Sequence, residues 1–193
     1  MLTALGLTSD GRVVAGAYEA STSPVTGVVL RFTSTGALDA SFGAAGKTVS
    51  SGVLVRSLAV DGTDRIVAAG SGGGQHVAFR LTSAGALDTS FGTGGESRAS
   101  FGATSAEVYR VALQDDGKIV TLGQNGDSVP AENAMTMARF TANGALDPTF
   151  GTSGRALTSG PPGPSPSPVD ALVTRCHILT VHIDRMAVSR HFR

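Results

Sequence analysis

One sixteen-residue pattern occurs three times in this chain, at Arg31 to Gly46, Arg80 to Gly95 and Arg139 to Gly154, with nine positions identical in every copy: Arg, Thr, Gly, Ala, Leu, Asp, Phe, Gly and Gly. A chain that repeats itself at this interval is expected to fold as an array of similar units, each burying its apolar surface against the next. The copies start 49 and 59 residues apart, and the extra length is placed in a loop around Asn125 to Asn133.

A second shared element lies upstream of each copy: Asp10-Gly11-Arg12-Val13-Val14, Asp64-Arg65-Ile66-Val67 and Asp116-Gly117-Lys118-Ile119-Val120, preceded by apolar runs that are clearest at Val55 to Val60 and Val108 to Leu113. Asp-Gly favours positive φ and here joins two β-rich runs, which predicts a hairpin. A third run contains the Arg (Val28 to Thr33, His76 to Thr82, Thr136 to Thr141), and a fourth follows the last Gly (Lys47 to Ser51, Glu96 to Ser100, Arg155 to Ser159). Four short antiparallel strands in roughly 40 to 50 residues match one blade of a β-propeller. The expected fold is therefore all-β, a β-propeller-like array of three four-stranded antiparallel blades over 1–52, 53–102 and 103–160. Three blades do not close a ring. The array reads as an incomplete ring and the chain as a fragment of a longer repeat protein.

The shared residues are turn formers, caps and core anchors. Gly36, Gly85 and Gly144 supply the turn after the third strand, and Gly46, Gly95 and Gly154 close the motif. Asp39, Asp88 and Asp147 sit where a carboxylate accepts backbone N–H bonds, beside Arg31, Arg80 and Arg139. Leu38 and Phe42, Leu87 and Phe91, and Leu146 and Phe150 are four apart, the spacing at which one helical turn would send both side chains into the core. The three Asp residues are also the candidate calcium ligands, with structural capping as the plainer account.

The run D-G-[KR]-[IV]-V followed by A-R-[FL]-T-x-x-G-x-L-D-x-[ST]-F-G-x-x-G resembles the delta-60 repeat, a bacterial repeat regarded as a β-propeller-like module of unknown function. The resemblance covers about residues 1 to 160. It implies fold and register, and the family brings no established catalytic residues. The second copy departs from it, with Gly62-Thr63-Asp64 where the others have Asp-Gly.

After the third copy the composition changes. Five of the eight Pro residues fall in 161–168, a stiff linker, and 169–193 holds three of the four His and the only Cys. That tail is read either as a degenerate fourth repeat, with strands at Val169 to Val173 and His177 to His182, or as an unrelated or frame-shifted end. Cys176, His177, His182 and His191 match no standard zinc spacing. A lone Cys also excludes an internal disulfide framework.

A formal net charge of zero gives no field to attract nucleic acid or an anionic membrane, and no apolar run is long enough to span one. Met1 to Gly11 lacks the features of a signal peptide, so localisation stays open, with an extracellular site if a longer precursor carries one. Gly43-Ala44-Ala45-Gly46-Lys47-Thr48 mimics the end of a phosphate-binding loop, but Ser41 stands where its first Gly is required. His76 has no partner ligand in the sequence and reads as a packed or solvated ring. No cofactor is implied. The expected function is a non-enzymatic scaffold or binding module of unknown ligand, protein or carbohydrate. Its specificity is assigned to loops at Tyr18 to Thr26, Ser71 to Gln75 and Asn125 to Asn133, and self-association through open sheet edges is possible. The alternatives are an enzyme whose site forms only in the complete propeller and a secreted or cell-surface module.

Overall fold

Gly11 and Gly117, both with φ near +80°, end the Asp-Gly hairpins. In each, two backbone bonds close a three-residue loop: Thr8 N–H to Arg12 O and Gly11 N–H to Thr8 O, repeated at Gln114, Lys118 and Gly117. This is a turn followed by a left-handed residue, so the glycine alone needs positive φ and the Asp does not. In the second copy that place is held by Asp64, at φ +61°. Its carboxylate accepts the Ser9 amide and hydroxyl at 2.7 and 2.6 Å, tying the hairpin to its neighbour.

A computed structural model describes residues 1–19, 21, 23–102, 104–125, 135–158, 168–173, 177–182 and 187–192. The first sheet is β1 (Leu2–Leu7), β2 (Val13–Glu19), β3 (Thr26–Phe32) and β4 (Lys47–Ser51). The second is β5 (Leu54–Val60), β6 (Ile66–Gly72), β7 (Gln75–Leu81) and β8 (Glu96–Ser100). The third is β9 (Ala106–Leu113), β10 (Ile119–Asn125), β11 (Met135–Phe140) and β12 (Arg155–Thr158). All three are antiparallel in sequential order, and the fold is the all-β, propeller-like array that the repeat spacing predicts. The extra length between copies two and three is divided: part of it precedes β9, where 101–105 stands in place of the two residues 52 and 53, and the loop expected around Asn125 to Asn133 lies outside the described residues beyond Asn125. The Pro-rich segment likewise falls outside them, except for Pro168.

Each sheet has two unlike apolar faces. Cross-strand pairing puts Val60, Ile66 and Leu81 in one row of the second sheet, with Leu58, Ala68 and Phe79 in the next. These pack on Val14, Val29 and Phe42 of the first sheet. The third sheet repeats the arrangement, setting Leu113, Ile119 and Phe140 against Val67, Ala69, Ala78 and Phe91 of the second. The first strands converge, β1 on β5 and β5 on β9, and so form the inner side of the array.

β13 (Pro168–Val173), β14 (His177–His182) and β15 (Ala187–Phe192) form a three-stranded antiparallel sheet. β13 lies beside β9. His177 and His182 end the same strand, about 16 Å apart along it, and His191 pairs with Ile178. Cys176 lies outside the described residues.

The helical turn expected around the repeat Asp is corrected. Asp39 N–H bonds back to Arg31 O, Phe42 N–H to Asp39 O and Gly46 N–H to Phe42 O, which makes two successive turns, while Leu38 bridges Phe32 in extended pairing. Phe42 and Phe91 are fully buried, but Leu38 and Leu87 remain 47% and 46% exposed, so the Leu and the Phe do not share a side.

Candidate functional site

At the hairpin end of each sheet the shared residues form one unit. Arg31 Nε donates to Asp39 Oδ2 at 2.8 Å, its Nη2 reaches Ser41 Oγ at 3.3 Å, and its guanidinium lies 4.6 Å over the Phe42 ring. Arg80, Asp88, Ser90 and Phe91 repeat this at 2.7, 3.2 and 4.8 Å, and Arg139, Asp147, Thr149 and Phe150 at 2.8, 3.0 and 4.7 Å. The remaining oxygen of each Asp accepts the amide and hydroxyl two residues on. The Ser41 hydroxyl above all holds the Asp39 carboxyl down at about 2, with the Ser41 amide and Arg31 adding to it against burial. For Asp147 burial is the largest influence and pushes upward; the Thr149 hydroxyl and amide, Arg139 and Lys118 outweigh it and bring it to about 2. Each of the three carboxylates is thus engaged through both of its oxygens. Among the described residues no group of three or more His, Cys, Asp or Glu could hold a metal ion.

The same unit reaches into the following sheet. Arg31 Nη1, Gly43 N–H and Thr48 Oγ1 donate to three successive carbonyls, those of Ser83, Ala84 and Gly85. Arg80 Nη1, Gly92 N–H and Ser97 Oγ do the same to Ala142, Asn143 and Gly144, at 2.6, 2.8 and 2.7 Å. This three-point clasp explains why Gly85 and Gly144 are glycines: a Cβ on Gly85 would lie 2.7 Å from Gly43 N and 2.8 Å from the Phe42 ring. It also disposes of the phosphate-loop likeness, because the Gly43 amide and Thr48 hydroxyl are already bonded to the next repeat.

The opposite end differs from repeat to repeat. Each inner strand carries a one-residue bulge, where the register shifts between Leu2 and Ala4, Val55 and Ser57, and Leu122 and Gly123. The extra residues are Thr3, Arg56 and Tyr109. A bulge re-aims the side chain it carries. Thr3 Oγ1 donates to Gly16 O at 3.0 Å and to Val55 O at 2.9 Å. Arg56 lies 5.1 Å over the Tyr18 ring, and the Tyr109 hydroxyl donates to Glu107 Oε2 at 2.9 Å. Burial first, then ionised Glu107, raises the Tyr109 phenol above its ordinary value, opposed by the nearby Arg56 charge. Tyr18, Arg56, Glu107 and Tyr109 thus bring two aromatic rings and two opposite charges from three repeats to the inner side.

Of the loops at this end, Ser71 to Gln75 has only Gly73 and Gly74 between its strands, both with positive φ, so it offers no side chain at its tip. Tyr18 to Thr26 is described in part, and 126–134 not at all. The sequence reading missed Arg56 and Tyr109. The signal available was a large polar residue at one aligned place within each apolar first strand, Val55-Arg56-Ser57 against Val108-Tyr109-Arg110.

A family described as a beta-propeller domain of unknown function (DUF5122) matches residues 8–42 and 114–150, in one register from hairpin to Phe in the first and third repeats. No curated protein matches the chain. Among solved structures, a protein of unknown function from Bacteroides caccae is similar at a TM-score of 0.55 and 10% identity, over 99% of this chain and 60% of that one. The chain therefore spans less than two thirds of that structure's length, and the likeness concerns the fold alone. A virginiamycin B lyase from Staphylococcus aureus matches at a TM-score of 0.47 and 11% identity, over 99% of this chain and 69% of that one.

Proposed function

We propose that the chain is a non-enzymatic β-propeller-like binding scaffold whose ligand meets the inner, bulged strands and the loops beside them. The observation that carries this is the division of labour between shared and unshared residues. The nine shared positions build turns, the Arg–Asp–Phe unit and the clasp, whereas the equivalent bulges hold Thr3, Arg56 and Tyr109, three different chemistries at one structural place. In a repeat scaffold, recognition comes from such positions, because changing them leaves the stacking intact. A guanidinium stacked on one tyrosine and beside another suits a planar or hydroxyl-rich ligand with an acceptor group, such as an acidic oligosaccharide or a peptide carboxylate.

The test is binding of the chain to an array of neutral and acidic oligosaccharides and short acidic peptides. Arg56→Ala and Tyr109→Phe should each weaken a positive signal about tenfold, the cost of one charged or hydroxyl hydrogen bond, while leaving the melting temperature within a few degrees. Binding that survives both changes places the ligand elsewhere. Chemical turnover of any probe would favour the enzyme alternative.

A further inference from the structure

We propose that the outer face of the first sheet is a docking surface for one more four-stranded sheet of this repeat, one that carries the Arg, Gly and Thr or Ser donors of the clasp. The second and third sheets each present a recipient face: apolar rows led by Val60–Ile66–Leu81 and Leu113–Ile119–Phe140, beside the carbonyls of Ser83 to Gly85 and Ala142 to Gly144. Both faces are covered by the preceding sheet. The first sheet has the same face, with Leu7, Val13 and Phe32 in the leading row and Leu5, Ala15 and Leu30 in the next. Nothing among the described residues covers it.

The difference in exposure follows the missing cover. Leu5 is 66% exposed where its counterparts Leu58 and Val111 are each at 8%, and half-buried Phe32 corresponds to Leu81 and Phe140 at 0%. At Gly36 a Cβ would meet nothing within 4 Å, although Gly85 and Gly144 at the same turn are crowded by the donor sheet. Among the described residues no donor reaches the carbonyls of Ser34, Thr35 and Gly36 as Arg31, Gly43 and Thr48 reach their counterparts. An apolar face and three unused acceptors, in the arrangement that is occupied twice elsewhere in the chain, select an occupant by shape and by hydrogen bonding together. The partner's contacting face must be small, as Gly6, Gly16 and Gly27 are opposite Val55, Leu58 and Val60. The third sheet lacks one donor, with Ala156 where Thr48 and Ser97 stand, so it is a poorer donor than the first or second.

The experiment places a second copy of residues 1–52 ahead of Met1 and compares this extended chain with the 193-residue chain. The readouts are melting temperature, binding of an apolar dye and sedimentation. The extended chain should stay monomeric and melt higher. Gly36→Ala and Leu5→Asp at the original positions should then each lower its melting temperature by about 5 °C or more, against roughly 2 °C in the 193-residue chain. Arg31→Met in the added copy alone should return much of the gain. Equal penalties in the two chains overturn the proposal. So does an extended chain that fails to fold cooperatively, because a fitting repeat adds a stabilising neighbour. Self-association of the 193-residue chain that Leu5→Asp abolishes would make a second copy the occupant, and would overturn it too.

Discussion

The first and second sheets meet through the same clasp as the second and third, yet the two interfaces are filled differently. In the first, Gly16 and Gly27 leave room for Val55 and Leu58, and a Cβ on Gly27 would come within 2.7 Å of Val53 O and of Val55. In the second, the place of Gly27 is taken by His76, fully buried, with Nδ1 3.0 Å from Thr121 Oγ1, Nε2 2.9 Å from Thr136 Oγ1 and the Phe101 ring 4.8 Å away. A polar ring with both nitrogens bonded replaces an all-aliphatic contact without disturbing the geometry around it. The clasp sets the spacing of the sheets, and the filling is free to vary as long as every buried polar atom finds a partner.

If the clasp is the common unit, its removal should cost the two interfaces alike. Arg31→Ala and Arg80→Ala should each lower the melting temperature by roughly 10 °C, since each strips a carboxylate, buried at Asp39 and half-buried at Asp88, of its partner and cuts the bond to the next sheet. A large inequality between them would break the comparison. Next in size, Gly85→Ala and Gly144→Ala should each cost about 3 kcal/mol by urea denaturation, combining left-handed strain with overpacking, whereas Gly36→Ala should cost about 1 kcal/mol from strain alone.

Acidification should separate the fillings. Burial lowers the His76 pKa from 6.5 to about 3, so the unfolded chain takes up a proton below pH 6.5 that the folded chain refuses until about pH 3. Stability should therefore fall as pH drops through that window. Asp39 and Asp147, lowered from 3.8 to about 2, withdraw their contribution only below about pH 4. His76→Gln should flatten the denaturation midpoint between pH 6.5 and 4 and leave the steeper loss below it; an unchanged profile would mean that the ring is not held neutral. The smallest effect is expected at the hydroxyls, where Thr48→Ala and Ser97→Ala should each cost about 1 kcal/mol in the same denaturation experiment.

Local physics was legible in the sequence, and long-range physics was not. The strand runs and the hairpins follow from alternating β-rich residues and from Asp-Gly, whose signals lie within a few residues of each other. The clasp joins Arg31 to Ser83 and Arg80 to Ala142 across 52 and 62 residues, and nothing near Arg31 announces an acceptor so far away. The four-residue spacing of Leu38 and Phe42 misled because the Arg31 carbonyl captures the Asp39 amide and keeps Leu38 extended. Bulges at Arg56 and Tyr109 are properties of pairing, so they become visible only beside the partner strand. His76 read as a packed or solvated ring; its two threonine partners, 45 and 60 residues on, decide that it is packed.

Each clasp runs one way, with donors on one sheet and carbonyls on the next. Two copies brought together through their first sheets would set carbonyl against carbonyl and leave all six acceptors unsatisfied. The surface is therefore built for a donor sheet, and a further repeat added there would continue the array head to tail. A run of such repeats would close into a ring where the rotation between sheets allows it and stay an open array where it does not, and a twofold dimer through that face is disfavoured by the hydrogen bonding itself.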